Sequence, residues 1–379
     1  MSLTASCSVE EPGLTTGAER TSEYLPLLKG KRVAIAANQT TMVGDVHLVD
    51  KLIGHGIDVK VIFAPEHGFR DMADAGSSIE SGFDEATGVK VISLYGTHYK
   101  PLPEDLEGID VVIFDIQDVG LRYYTYISTM HYVMEACAEN GVKCLILDRP
   151  NPNGFYIDGP IREPEFKSFV GMHPVPIVHG MTIGEYARMV NGEGWLAGGI
   201  QCDLTVIECL GYTHSTYYEL PVKPSPNLPN QNSIYLYASI CFFEGTNVSL
   251  GRGTDAPFQM FGAPEFEGVF DYSFTPQSVP GAMNPPLLGK TCFGRDLRDA
   301  LEKGVVPAPK IELSWVIEAY NAYPDKSMFF KGYFNTLAGT AKLRQQIVDG
   351  MSADEIRETW KTGLEEYAVI RNRYLIYPE

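Results

Sequence analysis

Residues 110–148 read DVVIFDIQDVGLRYYTYISTMHYVMEACAENGVKCLILD, and this stretch decides the fold class. It opens on Val, Ile and Phe in a run too continuous for a strand with one wet face. Both faces are therefore expected to be covered, as in a parallel sheet. STMHYVMEACAENG, from Ser128, then places apolar residues at helical spacing and stops at Asn140-Gly141, a common helix end. VKCLILD, from Val142, is a second buried run. Strand, helix and strand in that order make one parallel crossover unit.

The same rhythm extends in both directions. RVAIAANQ from Arg32, DVKVIFAP from Asp58 and VKVISLYG from Val89 are runs of the same character, and DVHLVDKLIGHG between the first two has helical spacing. Downstream, PVPIVHG reads as a strand, TIGEYARMVNGEG as a helix and CDLTVIECL as another strand. Thr182 and Glu185 have the capping-box spacing at the start of that helix. Alternating strand and helix predicts an α/β fold with a Rossmann-like, doubly wound, mostly parallel sheet over residues 20–240. LPVKPSPNLPNQNS, residues 220–233, breaks the rhythm. Residues 241–379 are expected to form a smaller α+β domain that closes a cleft.

Composition narrows the function. The 379 residues are 44% hydrophobic and 21% charged, ordinary globular usage with enough chain for a large core. Lys plus Arg number 30 against 48 Asp plus Glu, a net charge of −18. That balance opposes binding to nucleic acid or to anionic membranes, which carry the same sign. No stretch is long and apolar enough to span a bilayer. The seven cysteines (Cys7, Cys137, Cys144, Cys202, Cys209, Cys241 and Cys292) form no CxxC pair, which argues against a zinc ribbon or a redox dithiol. LTASC, ending at Cys7, resembles the end of a bacterial lipoprotein signal. If a leader precedes it, the protein is exported, periplasmic or lipid-anchored at Cys7. The alternative is a cytoplasmic protein with an uninformative tail.

Ligands of open parallel sheets bind at the carboxyl ends of the strands. The polar residues after each run are therefore candidates: Asn38, then Glu66, His67 and Arg70, then Tyr95, His98 and Lys100. Asp115, Gln117, Asp118, Arg122 and Tyr123 follow, with Asn151 and His179 beyond. Glu244, Asn247 and Arg252 occupy FEGTN and GRGT in the second part. GxGxxG, a P-loop and HExxH are all missing, and spacing lends no support to a metal site, so no cofactor or metal is expected. Two carboxylates whose environments push their pKa values apart can serve as acid and base on a glycosidic bond. Glu66 with Asp115 could be such a pair.

NQT, APEHGFR followed by DAG, TGVKVISLYG, DVVIFDIQDVGLRYYTYISTM, LDRPNP, HGMTIGEYA, PSPNLP and FEGTNVSLGRGT followed by PF and GAP occur in this order. Together they resemble the exo-β-N-acetylmuramidases of the NamZ type, a family first labelled a domain of unknown function. The likeness runs from about Arg32 to Pro264 and continues more weakly to the end. It implies a glycoside hydrolase that removes N-acetylmuramic acid from non-reducing ends of peptidoglycan fragments, acting on a muropeptide or disaccharide. It also implies a cleft between a Rossmann-like domain and a smaller one. The glutamate of the PEHGF motif carries over to Glu66 as the catalytic acid, and His67, Asp115, Gln117, Arg122 and Tyr123 match motif positions that line the site. AANQTT and NPNGF stand where TNQTG and NPLGG are more usual, which bears on the rim.

On this reading Asp115 activates water or steadies the developing positive charge, or else the substrate's own acetamido oxygen attacks. Arg122 or Arg252 would meet the lactyl carboxylate, since arginine suits bidentate carboxylate binding. The competing readings are a protein that binds wall fragments without cutting them and a metal-dependent hydrolase.

Overall fold

The computed structural model describes residues 13–70, 81–302, 304 and 307–379. Cys7 and the DAG motif at 74–76 lie outside the described residues. The first part builds a seven-stranded sheet in the order β5-β6-β4-β1-β7-β8-β9. Its strands are β1 (Arg32–Ala37), β4 (Asp58–Ala64), β5 (Gly82–Phe83), β6 (Lys90–Ser93), β7 (Val111–Asp115), β8 (Lys143–Leu147) and β9 (Leu204–Ile207). A small hairpin, β2 (Met42–Val43) with β3 (Val46–His47), follows β1. All main-sheet pairs are parallel except β5 with β6. Strand order reverses between β1 and β7, the place where such sheets open a crevice.

Period-two burial explains why the strands read as continuous apolar runs. Val33 and Ile35 of β1, Ile113 of β7 and Leu145 of β8 face α1 (Thr21–Leu28) and α2 (Leu48–Gly54). Ala34, Ala36, Phe114 and Ile146 face the other way, onto α3 (Tyr126–Asn140) and α4 (Ile183–Gly192). Truncating Phe63 or Phe114, both fully buried, to alanine is expected to cost about 3–5 kcal/mol. The helix ends follow their local signals. Gly141 closes α3 at φ 63°, and the Thr182–Glu185 capping box opens α4.

PVPIVHG is not a strand. Pro174 and Pro176 remove two backbone donors, and Val178 makes only isolated bridges to Leu121 and Asp158. The seventh strand is instead the short antiparallel edge β5.

Beyond α5 (Gln231–Ile240) lies a separate three-stranded antiparallel sheet, β10 (Met260–Ala263), β11 (Tyr272–Phe274) and β12 (Cys292–Asp296), in the order β10-β12-β11. It is followed by α6 (Ser314–Ala322), α7 (Tyr333–Ala338), α8 (Lys342–Val348), α9 (Ala353–Glu358) and α10 (Lys361–Arg371). Phe243, Phe261 and Phe266 belong to the same buried cluster as Phe114, so the smaller unit is packed against the larger through one continuous core. Among the described residues no helix is long and apolar enough to cross a membrane.

Candidate active site

A cavity of about 560 Å³ opens where the carboxyl ends of β4, β6 and β7 meet the smaller unit, a volume suited to a sugar-sized ligand. Glu66 and His67 enter from the end of β4, Tyr95 from that of β6, and Tyr123 to Tyr126 from the segment after β7. Ser225 comes from the PSPNLP loop, and Lys331 and Tyr333 come from the start of α7. In FEGTNVSLGR, every second residue from Glu244 to Arg252 lines the cavity. Asn247 has the opposite register, and its amide donates to the Met328 carbonyl at 2.6 Å.

Glu66 sits in a turn that ends β4 abruptly. The Gly68 N–H donates to the Pro65 carbonyl at 3.1 Å, and His67 takes φ 74°, the positive third-position value of a type II turn. Thr125 Oγ1 donates to Glu66 Oε2 at 3.0 Å, and Tyr95 lines the same cavity. Burial, reinforced by the Glu66 charge, raises the Tyr95 phenol well above its ordinary range, so it stays a hydroxyl donor. His67 Nε2 lies 3.3 Å from Ser225 Oγ. Among the described residues the non-glycine positions with positive φ are His67, Phe258 and Leu287. The first two line the cavity, and Leu287 directly follows the lining residues Pro285 and Pro286. Backbone held this way costs about 1–3 kcal/mol per residue, and such residues cluster at functional sites.

The second carboxylate on the cavity is Glu244, not Asp115. Arg252 donates to Glu244 Oε1 from Nε at 2.9 Å and also from Nη2, and its guanidinium lies 4.9 Å from the centre of the Phe258 ring. Burial works against the Arg252 charge, but Glu244 more than offsets it and raises the pKa. Asp115 is sealed, with 0% exposure, and forms a bidentate pair with Arg149 at 2.6 and 2.8 Å. It therefore cannot reach a ligand in the cavity.

Most of the other polar strand-end residues join Asp115 in a buried scaffold. Asn38 binds the Thr40 amide at 2.9 Å and reaches the Tyr126 hydroxyl at 3.0 Å. Gln117 donates to the carbonyls of Asp118 and Pro150, both at 2.8 Å. Asn151 donates to Met181 and packs onto Gly120, where a Cβ would come within 2.2 Å of the amide oxygen. His179 is fully buried, with its Nδ1 accepting from the Met181 N–H at 3.3 Å. Arg70 is shared between Asp50 and Asp84. Its hydrogen bonds hold Asp50 below the usual carboxylate range; for Asp84 they outweigh the opposing effect of burial.

Arg122 does not meet the cavity either. Its guanidinium donates to Pro160, Val175, Leu337 and Ala338 carbonyls at 2.6–3.1 Å, and burial pushes it down to about 9. The last two carbonyls belong to the C-terminal end of α7, where a cation complements the helix dipole. Arg122 thus fixes the helix that carries Tyr333 to the cavity. The hydroxyls of the RYYTYI tyrosines bind backbone. Tyr123 donates to Tyr237 and Ala238, Tyr124 to Pro224, and Tyr126 stands between the Glu66 and Pro224 carbonyls at 3.4 Å from each.

Sequence reasoning missed Thr125, Ser225, Lys331 and Tyr333. The PSPNLP motif pointed towards Ser225. Lys331 and Tyr333 lie far along the chain in a segment with no strand-end signal. Among the described residues no group of three or more His, Cys, Asp or Glu side chains is placed to hold a metal ion.

Two glutamates, Glu66 and Glu244, border a sugar-sized cavity at the carboxyl edge of a Rossmann-ordered sheet, and a carboxylate pair is what glycoside hydrolysis uses. The chain matches the N-terminal domain of the exo-beta-N-acetylmuramidase NamZ over residues 33–232 and the C-terminal domain over 235–377, and it belongs to that family. It is 39% identical to the peptidoglycan beta-N-acetylmuramidase NamZ of Bacillus subtilis (strain 168), covering 98% of this chain and 93% of that protein. Two crystal structures of DUF1343 family proteins from Bacteroides fragilis NCTC 9343 share the fold. One has 50% identity and a TM-score of 0.90, over 97% of this chain and 100% of that one. The other has 28% identity and a TM-score of 0.81, over 96% and 99% respectively.

Proposed function

We propose that this glycosidase releases N-acetylmuramic acid from the non-reducing ends of peptidoglycan fragments, with Glu66 as its proton donor. The observation that carries this reading is the setting of Glu66. It is a cavity-facing carboxylate bound by the Thr125 hydroxyl, on a turn with His67 at φ 74°. In the reaction Glu66 protonates the glycosidic oxygen as the bond to the anomeric carbon breaks. Glu244, kept beside Arg252, steadies the positive charge that develops on the sugar ring. Water then adds to the anomeric carbon and its proton returns to Glu66, restoring the starting state.

Replacing Glu66 with Gln keeps shape and hydrogen bonding but removes the transferable proton. Release of chromophore from a chromogenic muramide is expected to fall by about 10²–10⁴-fold. Near-wild-type turnover in a folded E66Q protein removes Glu66 from the role. The LTASC stretch and the wall-derived substrate also favour export with lipid on Cys7. Fractionation of cells should place the full-length protein in the membrane fraction, and a wholly cytosolic protein contradicts it.

A further inference from the structure

N-acetylmuramic acid differs from N-acetylglucosamine by a lactyl ether that ends in a carboxylate. An enzyme that acts on the first sugar gains selectivity by meeting that charge with a cation. The basic groups that line the cavity are His67, Arg252 and Lys331. Arg252 is committed to Glu244, to which both Nε and Nη2 donate. His67 lies against Ser225, beside the proposed proton donor. Lys331 alone among these cations is charged and has no carboxylate within 4.0 Å among the described residues. The nearby arginines named from the sequence are excluded by their surroundings: Arg122 is surrounded by carbonyls and Arg70 by Asp50 and Asp84.

We propose that the Lys331 ammonium is the specificity-determining group that receives the lactyl carboxylate of the sugar in the cavity. This rests on the muramidase reading above. Its position is fixed by the fold. The Lys331 N–H donates to the Gly245 carbonyl at 2.8 Å, which ties it beside the lining strip that begins at Glu244. The neighbouring α7 is held at its far end by Arg122. Burial lowers the Lys331 pKa and Glu244 partly offsets that. An ammonium so placed is poorly solvated and gains from an arriving anion. Arg252 offsets Glu244, which leaves the Lys331 ammonium to meet the carboxylate of the sugar.

The test compares wild type with Lys331→Met and Lys331→Arg. It uses calorimetric binding of free N-acetylmuramic acid and N-acetylglucosamine at neutral pH, together with turnover of the matching chromogenic glycosides. Wild type should prefer the acidic sugar. K331M should weaken its binding by tenfold or more and raise the muramide KM, with kcat nearly unchanged and glucosamine binding unaffected. K331R should restore most of the preference. A K331M protein that keeps the wild-type preference overturns the assignment of Lys331 and leaves the muramidase reading standing. A wild type that turns over neither glycoside, or binds both sugars equally, overturns the substrate reading and this proposal together. Glucosaminide turnover that falls as far as muramide turnover in K331M reveals a merely structural lysine and overturns the proposal.

Discussion

Two polar regions crown the same sheet and behave in opposite ways. Over β1, β7 and β8, at the reversal of strand order, Asn38, Asp115, Gln117, Arg149 and Asn151 bond to one another and to the backbone, with no more than 4% exposure. Over β4, β6 and the segment after β7, Glu66, Glu244, Arg252 and Lys331 border a cavity. The strand-end rule delivers polar side chains to both places. What separates scaffold from reagent is whether the side chain is sealed in or borders the cavity. Asp115 receives two guanidinium bonds in a fully buried site, whereas Glu66, bound by the Thr125 hydroxyl, lines the cavity.

The sharpest way to break this contrast is to neutralise Asp115. D115N leaves the buried Arg149 without its counter-charge, and a loss of about 3–5 kcal/mol in unfolding free energy is expected. Denaturant titration checks it. Turnover per folded molecule should stay within tenfold, and a catalytic collapse with intact stability would return Asp115 to the site.

Next in size is an acid-sensitive cluster on the far side of α3. His131 Nδ1 lies 2.9 Å from His173 Nε2, and burial pushes His131 down to about 4 and His173 well below its ordinary value. Both bind fewer protons folded than unfolded. Their stabilisation is therefore present above about pH 6.5 and lost as pH falls towards 4, worth about 3 kcal/mol for His131. Asp148, raised by burial to about 7, runs the other way: its contribution is full below its ordinary carboxylate value and is lost as pH rises towards 7. A stability–pH profile of His131→Asn should show a flatter acid limb than wild type. An unchanged limb rules His131 out as its source.

A smaller effect tests the link between the two regions. The Tyr126 hydroxyl connects Asn38 of the scaffold to the Glu66 carbonyl. Tyr126→Phe should cost about 1 kcal/mol in stability and lower kcat several-fold with little change in KM, as expected of a positioning residue. A raised KM with kcat unchanged, or wild-type kinetics, would contradict that role. The smallest effect belongs to the opposite edge of the sheet. Asp58, at the start of β4, pairs with Lys60 at 2.8 Å, but both side chains are about half exposed. Water screens the pair, so Asp58→Asn should change stability by less than about 0.5 kcal/mol.

The alternation of buried runs made the parallel sheet legible, because each strand is covered on both faces. The family motifs made Glu66 legible. The failures share one cause. Sequence marks which residues sit at a strand end but not which of them find partners once strands from distant segments meet. Asp115 ends one strand and Arg149 follows its neighbour, so the two cancel, and Arg122 meets the end of a helix more than two hundred residues away. Lys331 and Tyr333 belong to the second unit, where no strand-end rule applies. PVPIVHG misled because its apolar pattern fits a strand while its two prolines cannot supply the ladder.

Chemistry is placed at the cavity and not at the reversal of strand order. A crystal structure of the Glu66→Gln protein with the disaccharide N-acetylmuramyl-N-acetylglucosamine bound tests this. The glycosidic oxygen is expected within about 3.2 Å of the side-chain amide at position 66. A sugar seated instead over Asp115 and Arg149, with position 66 out of hydrogen-bonding reach, would contradict it.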